Sequence, residues 1–215
     1  MAGPLTTKPR IAVLDYGIGN LRSAEKALQH MGADARLVTT RAEAEAADGV
    51  VLPGVGNFGR CMAALRAAEL DGVALDAARS GRPFLGICVG MQMLYEASEE
   101  SPGVRGLDVF RGLVRPLPPG VKRPQMQWNI LQHVRPSPLL AGLPDPAWVY
   151  FVHSYAPDAS DDVVATCDYG GSVVAMVERG QVWATQFHPE KSGNTGLAIL
   201  DNFVSVCAGA PASAR

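Results

Sequence analysis

The sequence predicts an α/β fold: a mainly parallel central sheet with helices on both faces, a nucleophile elbow at Cys88, and an additional strand-rich C-terminal half. Three observations carry this expectation. Short apolar runs alternate with helical patterns through the first half of the chain. An apolar run then ends in a cysteine flanked at i−2 and i+2 by glycine and passes directly into a helical pattern. Finally, four strand-like runs follow one another toward the C-terminus.

The alternation opens with a strand over 11–15 and a helix from Leu21, whose apolar face carries Leu21, Ala24, Leu28 and Met31. Asn20 is placed to cap that helix and Gly32 to end it. A strand at 36–38, a short Ala/Glu helix, a strand at 50–52, helices between Cys61 and Arg79 and a strand at 84–87 continue the pattern. Such units with short connections build parallel sheets, in which ligand sites lie beyond the carboxyl ends of the strands. Cys88 stands at such an end. Between Gly103 and Gly142 prolines interrupt any helix. Strands are then expected at 148–153, 163–168, 173–179 and 181–187, the last two forming a hairpin at Gly180. A closing helix begins near Asn194, and Cys207 extends its stripe of Leu197, Leu200, Phe203 and Val204 as core packing. Residues 10–208 are read as a single domain, with 1–9 and 209–215 as flexible tails.

A chain of 215 residues, 47% hydrophobic and 19% charged, is long enough to bury a sizeable core and reads as soluble. A formal net charge of −2 leaves no electrostatic footprint for nucleic acid or an anionic membrane, so neither partner is expected. No apolar run reaches membrane-spanning length and the first nine residues lack a signal-peptide core, so the expected location is cytoplasmic. The cysteines at 61, 88, 167 and 207 form no metal spacing, and the glycines at 17 and 19 lack the third glycine of a dinucleotide fingerprint. No metal or organic cofactor is expected.

The strand-to-helix turn at Cys88 strains the residue on it, and only small neighbours let the backbone close around that turn. The side chain then projects outward, where the free N–H groups of the helix start favour an anionic sulfur. A thiol nucleophile needs a base, and the four histidines separate by context. His30 falls in the last turn of the first helix and His133 follows a polar, Pro-rich stretch, so both read as structural or solvated. His188 ends a strand and is followed by Pro189 and Glu190. A carboxylate two positions on suits an orienter for the imidazole, so Cys88, His188 and Glu190 read as a catalytic triad.

Gly86-Ile-Cys-Val-Gly-Met-Gln92 together with Phe187-His-Pro-Glu190 resembles the triad glutamine amidotransferases, which hydrolyse L-glutamine through a thioester and pass ammonia to a synthase. Asp15-Tyr-Gly-x-Gly-Asn-Leu21, Pro53-Gly-Val-Gly-Asn-Phe58, Tyr150-Phe-Val-His-Ser-Tyr155 and Gln186-Phe-His-Pro-Glu-Lys-Ser192 are most similar to the histidine-biosynthesis branch of that family. The resemblance spans residues 11–207. It implies a separate barrel-shaped synthase, bound as a heterodimer, that uses the ammonia to form imidazole glycerol phosphate and an aminoimidazole carboxamide ribonucleotide. It further implies an oxyanion hole from the backbone of Val55, Gly56 and Val89, and substrate contacts from Gly54, Gln92, Glu100, Ser154 and Tyr155. Glu100 has a second reading, as half of a solvated acidic pair with Glu99. Asn20, Trp128, Asn129 and Lys191 are implied at the partner interface, while His153 orders its loop. The alternatives are a glutaminase for another acceptor, such as pyridoxal phosphate synthase, and a catalytically silent binding or regulatory subunit. The first looks different around the oxyanion loop and lacks His-Ser-Tyr, and the intact triad argues against the second. One departure stands out: where the family usually shows Pro-His-Met-Gly-Trp-Asn, this chain has Pro124-Gln-Met-Gln-Trp-Asn129, with Gln127 in a glycine's place. An ordinary backbone is expected there, since a positive φ would strain a side chain.

Overall fold

The computed structural model of the chain, which describes residues 8–209, is built on an eight-stranded sheet with four parallel and three antiparallel pairings. The first half supplies β1 (Arg10–Leu14), α1 (Leu21–His30), β2 (Asp34–Val38), α2 (Arg41–Glu45), β3 (Gly49–Gly54), α3 (Phe58–Ala67), α4 (Asp71–Arg79) and β4 (Phe84–Cys88). Strands β2, β1, β3 and β4 lie side by side in that order, every pair parallel. The expected alternation is therefore present, with β3 running past its apolar core to Gly49 at one end and Gly54 at the other. Helix α1 buries Leu21, Ala24 and Leu28 as its spacing requires. Glu25 joins that buried side because its carboxylate accepts the Leu37 N–H at 3.1 Å and pairs with Arg22 at 2.9 Å. Gly32 follows the helix at φ +95°, where a residue with a Cβ is strained. The expected cap is absent: the Asn20 side chain makes no bond to the start of α1 and turns instead to Glu190.

The second half runs through α5 (Val89–Met93), β5 (Ala97–Ser98), β6 (Leu113–Pro116), β7 (Gln125–Ile130), β8 (Gln132–His133), β9 (Trp148–His153), β10 (Tyr155–Pro157), β11 (Val163–Asp168), β12 (Ser172–Arg179), β13 (Val182–Thr185) and α6 (Gly193–Cys207). Strands β12 and β13 form the expected hairpin, with Arg179 opposite Val182 and Gly180 at φ +58°. Strand β13 is shorter than its apolar run, because the chain leaves the ladder after Thr185 while Gln186 and Phe187 remain buried. It inserts between β4 and β12, parallel to β4, with Thr185 opposite Ile87. Two carboxyl ends thereby meet: the chain leaving β13 at His188 stands beside the chain leaving β4 at Cys88. Strands β11 and β8 complete the large sheet, while β10, β6 and β5 form a small one and β7 and β9 a separate ribbon.

Helix α6 buries Thr195, Ile199, Leu200, Asn202, Phe203 and Val204, so the expected stripe holds except at Leu197, which is only half-buried. Cys207 packs against the core from its edge. One continuous apolar cluster joins the sheet to its covering helices. No helix among the described residues is long and apolar enough to cross a membrane. Of the two tails, residues 1–7 and 210–215 lie outside the described residues.

Gln127 sits in β7 opposite Phe151, and the non-glycine residues with positive φ among those described are Glu69, Cys88 and Asp108. The backbone at Gln127 is thus ordinary strand. Gln127→Gly is expected to cost a few tenths to about 1 kcal/mol through the unfolded state. Denaturant titration checks this: the midpoint should fall, and a rise would reveal strain at that position.

Candidate active site

Cys88 adopts φ 55°, ψ −113°, a conformation that L side chains rarely hold and that aims its sulfur out of the end of β4. Packing explains the glycines on either side. A Cβ on Gly90 would stand 1.8 Å from the Leu52 carbonyl oxygen, and one on Gly86 would stand 3.1 Å from the Met91 nitrogen. The backbone of α5 therefore presses directly on β3. Because α5 is a single short turn, it offers Cys88 its free first-turn N–H groups, that of Val89 included, rather than a long macrodipole.

His188 Nδ1 lies 2.8 Å from Glu190 Oε1, with both side chains almost wholly buried. Burial disfavours the charged imidazole, yet the Cys88 sulfur and the Glu190 carboxylate outweigh it and hold the His188 pKa up at about 10. The ring therefore keeps its second proton at neutral pH, with Nε2 left for the sulfur. Asn20 Nδ2 also reaches Glu190 Oε1, at 3.4 Å, bracing the carboxylate from the start of α1. A raised pKa means that the proton is held below about pH 10 and lost above it. With the ring as the proton carrier that the family resemblance implies, the alkaline limb of turnover is expected there, and Glu190→Gln should move it to lower pH. A pH–rate profile checks both; an unmoved limb in the variant would deny Glu190 its influence on the ring.

A cavity of about 550 Å³ opens over this pair. Val55, Gly56 and Val89 line it beside Cys88, and Gly54 lies just behind, paired with Cys88 across β3 and β4. Gln92, Glu100, Ser154 and Tyr155 line the remaining walls. The two readings of Glu100 separate here. Glu99 is drawn away to Arg115, whereas Glu100 faces the cavity while its Oε2 accepts the Phe58 N–H at 2.7 Å. Gln92 donates to the Tyr155 carbonyl and to Gln186 Oε1, both at 3.0 Å, and the Gln186 amide in turn reaches Cys88 Sγ at 3.8 Å. Sequence reasoning gives Gln186 no role of its own; its place two residues before His188 is the available signal. His153 is held by the Tyr155 carbonyl at 2.8 Å and Gln125 at 2.9 Å. Burial drops its pKa to about 4, so it is neutral at pH 7 and orders the loop.

Asn20 and Lys191 stand at the cavity rim. Trp128 lies on the neighbouring β7–β9 ribbon, where the register places Met126, Trp128 and Ile130 directly across from Val152, Tyr150 and Trp148. These six share one face. Met126 is 62%, Trp128 47% and Trp148 45% exposed, so an apolar face stands open beside the cavity. Of this set only Trp128 is expected from the sequence; the alternate spacing at 126, 128, 130 and 148, 150, 152 is the signal that could have found the rest. Asn129 is not part of the face: its side chain points the other way and donates to the Asp168 carbonyl at 2.9 Å. Among the described residues no group of three or more His, Cys, Asp or Glu side chains is arranged to hold a metal ion.

A strained cysteine and an imidazole braced by a carboxylate thus meet under one cavity beyond the carboxyl ends of parallel strands, an arrangement suited to attack by a thiol on an amide. Comparison with known proteins narrows the class. The family model of glutamine amidotransferase class-I matches residues 12–207. The imidazole glycerol phosphate synthase subunit HisH of Methanothermobacter thermautotrophicus is 51% identical over 197 residues, covering 91% of this chain and 98% of that protein. The protein of the same name from Deinococcus radiodurans is 47% identical over 204 residues, covering 93% and 95%. The chain belongs to the class-I glutamine amidotransferase family, within its group of imidazole glycerol phosphate synthase HisH subunits. PurLQS of Thermotoga maritima shares the fold with a TM-score of 0.73 at 20% identity, covering 93% of this chain and 99% of that one. A glutamine amidotransferase of the same organism does so with a TM-score of 0.67 at 16% identity, covering 94% and 99%.

Proposed function

We propose that residues 10–208 act as a glutaminase unit in which Cys88, as thiolate, attacks the side-chain amide carbon of L-glutamine. The oxyanion that forms is met by N–H groups of Val55, Gly56 and Val89. His188 then gives its proton to the departing nitrogen, so that ammonia leaves and a γ-glutamyl thioester remains on Cys88. The neutral imidazole next takes a proton from water, hydroxide adds to the thioester carbon, and glutamate departs as the thiolate and imidazolium return. Glu190 keeps the ring oriented throughout. Gly54, Gln92, Glu100, Ser154 and Tyr155 hold the substrate, with the Glu100 carboxylate suited to its ammonium group. The reading rests chiefly on the buried His188–Glu190 pair, 2.8 Å apart, seated beside an elbow cysteine.

The ammonia passes to a barrel-shaped synthase in a cytoplasmic heterodimer of histidine biosynthesis, and the lyase step belongs to that partner. The relatives' names and the open apolar face of Met126, Trp128 and Trp148 support such docking. Asn20 and Lys191 at the adjoining rim would complete the contact; Asn129, on the opposite face of the ribbon, is left out of it. The test is glutamate release by the isolated chain, by the chain with its synthase partner, and by the pair with the synthase's nucleotide ligand. Turnover should rise at each step. Equal rates in all three would refute coupling, and an unaltered response in Lys191→Ala would remove that residue from it.

A further inference from the structure

Two buried groups for which the glutaminase chemistry has no task hold the oxyanion segment from below. The Tyr16 hydroxyl donates to the Pro53 carbonyl at 2.6 Å, and the Cys61 thiol donates to the Val55 carbonyl at 3.3 Å. Both side chains lie in the core. Burial raises the pKa of each, and their nearness to one another raises that of Tyr16 further, so both remain protonated donors at neutral pH. The hydroxyl also reaches beneath Gly54, where a Cβ would come within 3.0 Å of it and 2.7 Å of the Gly90 nitrogen.

The peptide plane gives these bonds a consequence. In a trans peptide the carbonyl and the N–H point in opposite directions. With the Val55 carbonyl turned into the core toward Cys61, the Gly56 N–H of the same peptide is turned away from the core, on the side where Val55 and Gly56 line the cavity with Cys88. Neither the Val55 nor the Gly56 N–H has an acceptor among the described residues. Gly56 stands at φ +94°, so the peptide is free of the restraint a side chain would impose. Reversing it would push a carbonyl toward the sulfur and leave the buried thiol without its acceptor.

We propose that Cys61 is a positioning residue that clamps the Val55 carbonyl in the core and so keeps the Gly56 N–H presented to the reacting amide, with Tyr16 anchoring the same segment two peptides earlier at the Pro53 carbonyl. The inference rests on the glutaminase reading. A hydrogen bond of this kind biases a two-state peptide by roughly three- to tenfold. In the complex with the synthase partner, Cys61→Ala should therefore lower kcat for glutamine by about that factor, and Tyr16→Phe by less, with KM nearly unchanged in both. Cys61→Ser, which keeps a donor, should recover part of the loss. Alkylation of Cys88 by iodoacetamide, which forms no oxyanion, should proceed at the wild-type rate in all three variants. A wild-type kcat in Cys61→Ala, a serine variant no better than alanine, or alkylation that falls in step with kcat would each overturn the clamp. A wild-type complex with no glutamine turnover would overturn the glutaminase reading itself, before any variant is compared.

Discussion

Cys88→Ala is expected to abolish glutamine-driven synthesis by the assembled complex while leaving synthesis from added ammonium salts intact. The alanine removes the atom that forms the thioester, and the remaining oxyanion donors cannot replace a nucleophile, so glutaminase turnover should fall by about three powers of ten or more. Ammonia supplied from solution bypasses that step. Cys88 is buried within the elbow, and the smaller side chain removes only its sulfur, so the open apolar face at Trp128 should survive. Assaying one preparation with glutamine and with ammonium separates the two activities. Loss of both would mean that Cys88 holds the fold rather than performs chemistry. His188→Ala should follow the same pattern, whereas Glu190→Gln should keep partial activity because it removes an orienter and not the proton carrier.

Gly90→Ala is expected to be more damaging than a methyl group added at Gly54 or Gly86, the other tightly packed glycines around Cys88. Its Cβ would lie 1.8 Å from the Leu52 oxygen and 2.9 Å from the Leu52 carbonyl carbon, both backbone atoms of a buried strand. No side-chain rotation relieves that contact, so α5 must lift away from β3. The overpacking cost is about 3 kcal/mol or more, a large share of a typical domain's stability. The same movement would carry the Val89 N–H and Cys88 out of register with Gly54 and Val55. Gly17→Ala is the control: its Cβ would meet nothing within 4 Å, and only its φ of +78° penalises the change, by about 1 kcal/mol. Denaturant midpoints and glutaminase rates for the two variants should differ sharply; equal midpoints would contradict the close approach of α5 to β3.

What the sequence discloses follows from the range of each interaction. The βα alternation and the faces of α1 and α6 depend on local periodicity, and they are readable to within a few residues. The Gly-x-Cys-x-Gly elbow and the His188–Glu190 spacing are local as well. The meeting of His188 with Cys88 is not, because it depends on β13 inserting beside β4 in parallel register. Asn20 occupies a position that favours a helix cap, and a long-range contact with Glu190 draws its side chain elsewhere. Cys61 carries no local signal for its contact, and Gln186 only its place two residues before His188; each gains its position from a partner that only the fold brings near. The apolar ribbon face is intermediate, since its alternation is written in two separate runs and only the β7–β9 register joins them. The residues proposed to hold the substrate are legible only through the family resemblance, as no spacing rule links Glu100 to Ser154.

A γ-glutamyl group carried by Cys88 should be trapped by acid quenching of the complex during turnover of carbon-labelled glutamine. Digestion and mass analysis should find the labelled γ-glutamyl group on the Cys88 peptide, and on none in Cys88→Ala. Label on any other residue, or glutamate formation that persists in Cys88→Ala, would mean that Cys88 is not the nucleophile.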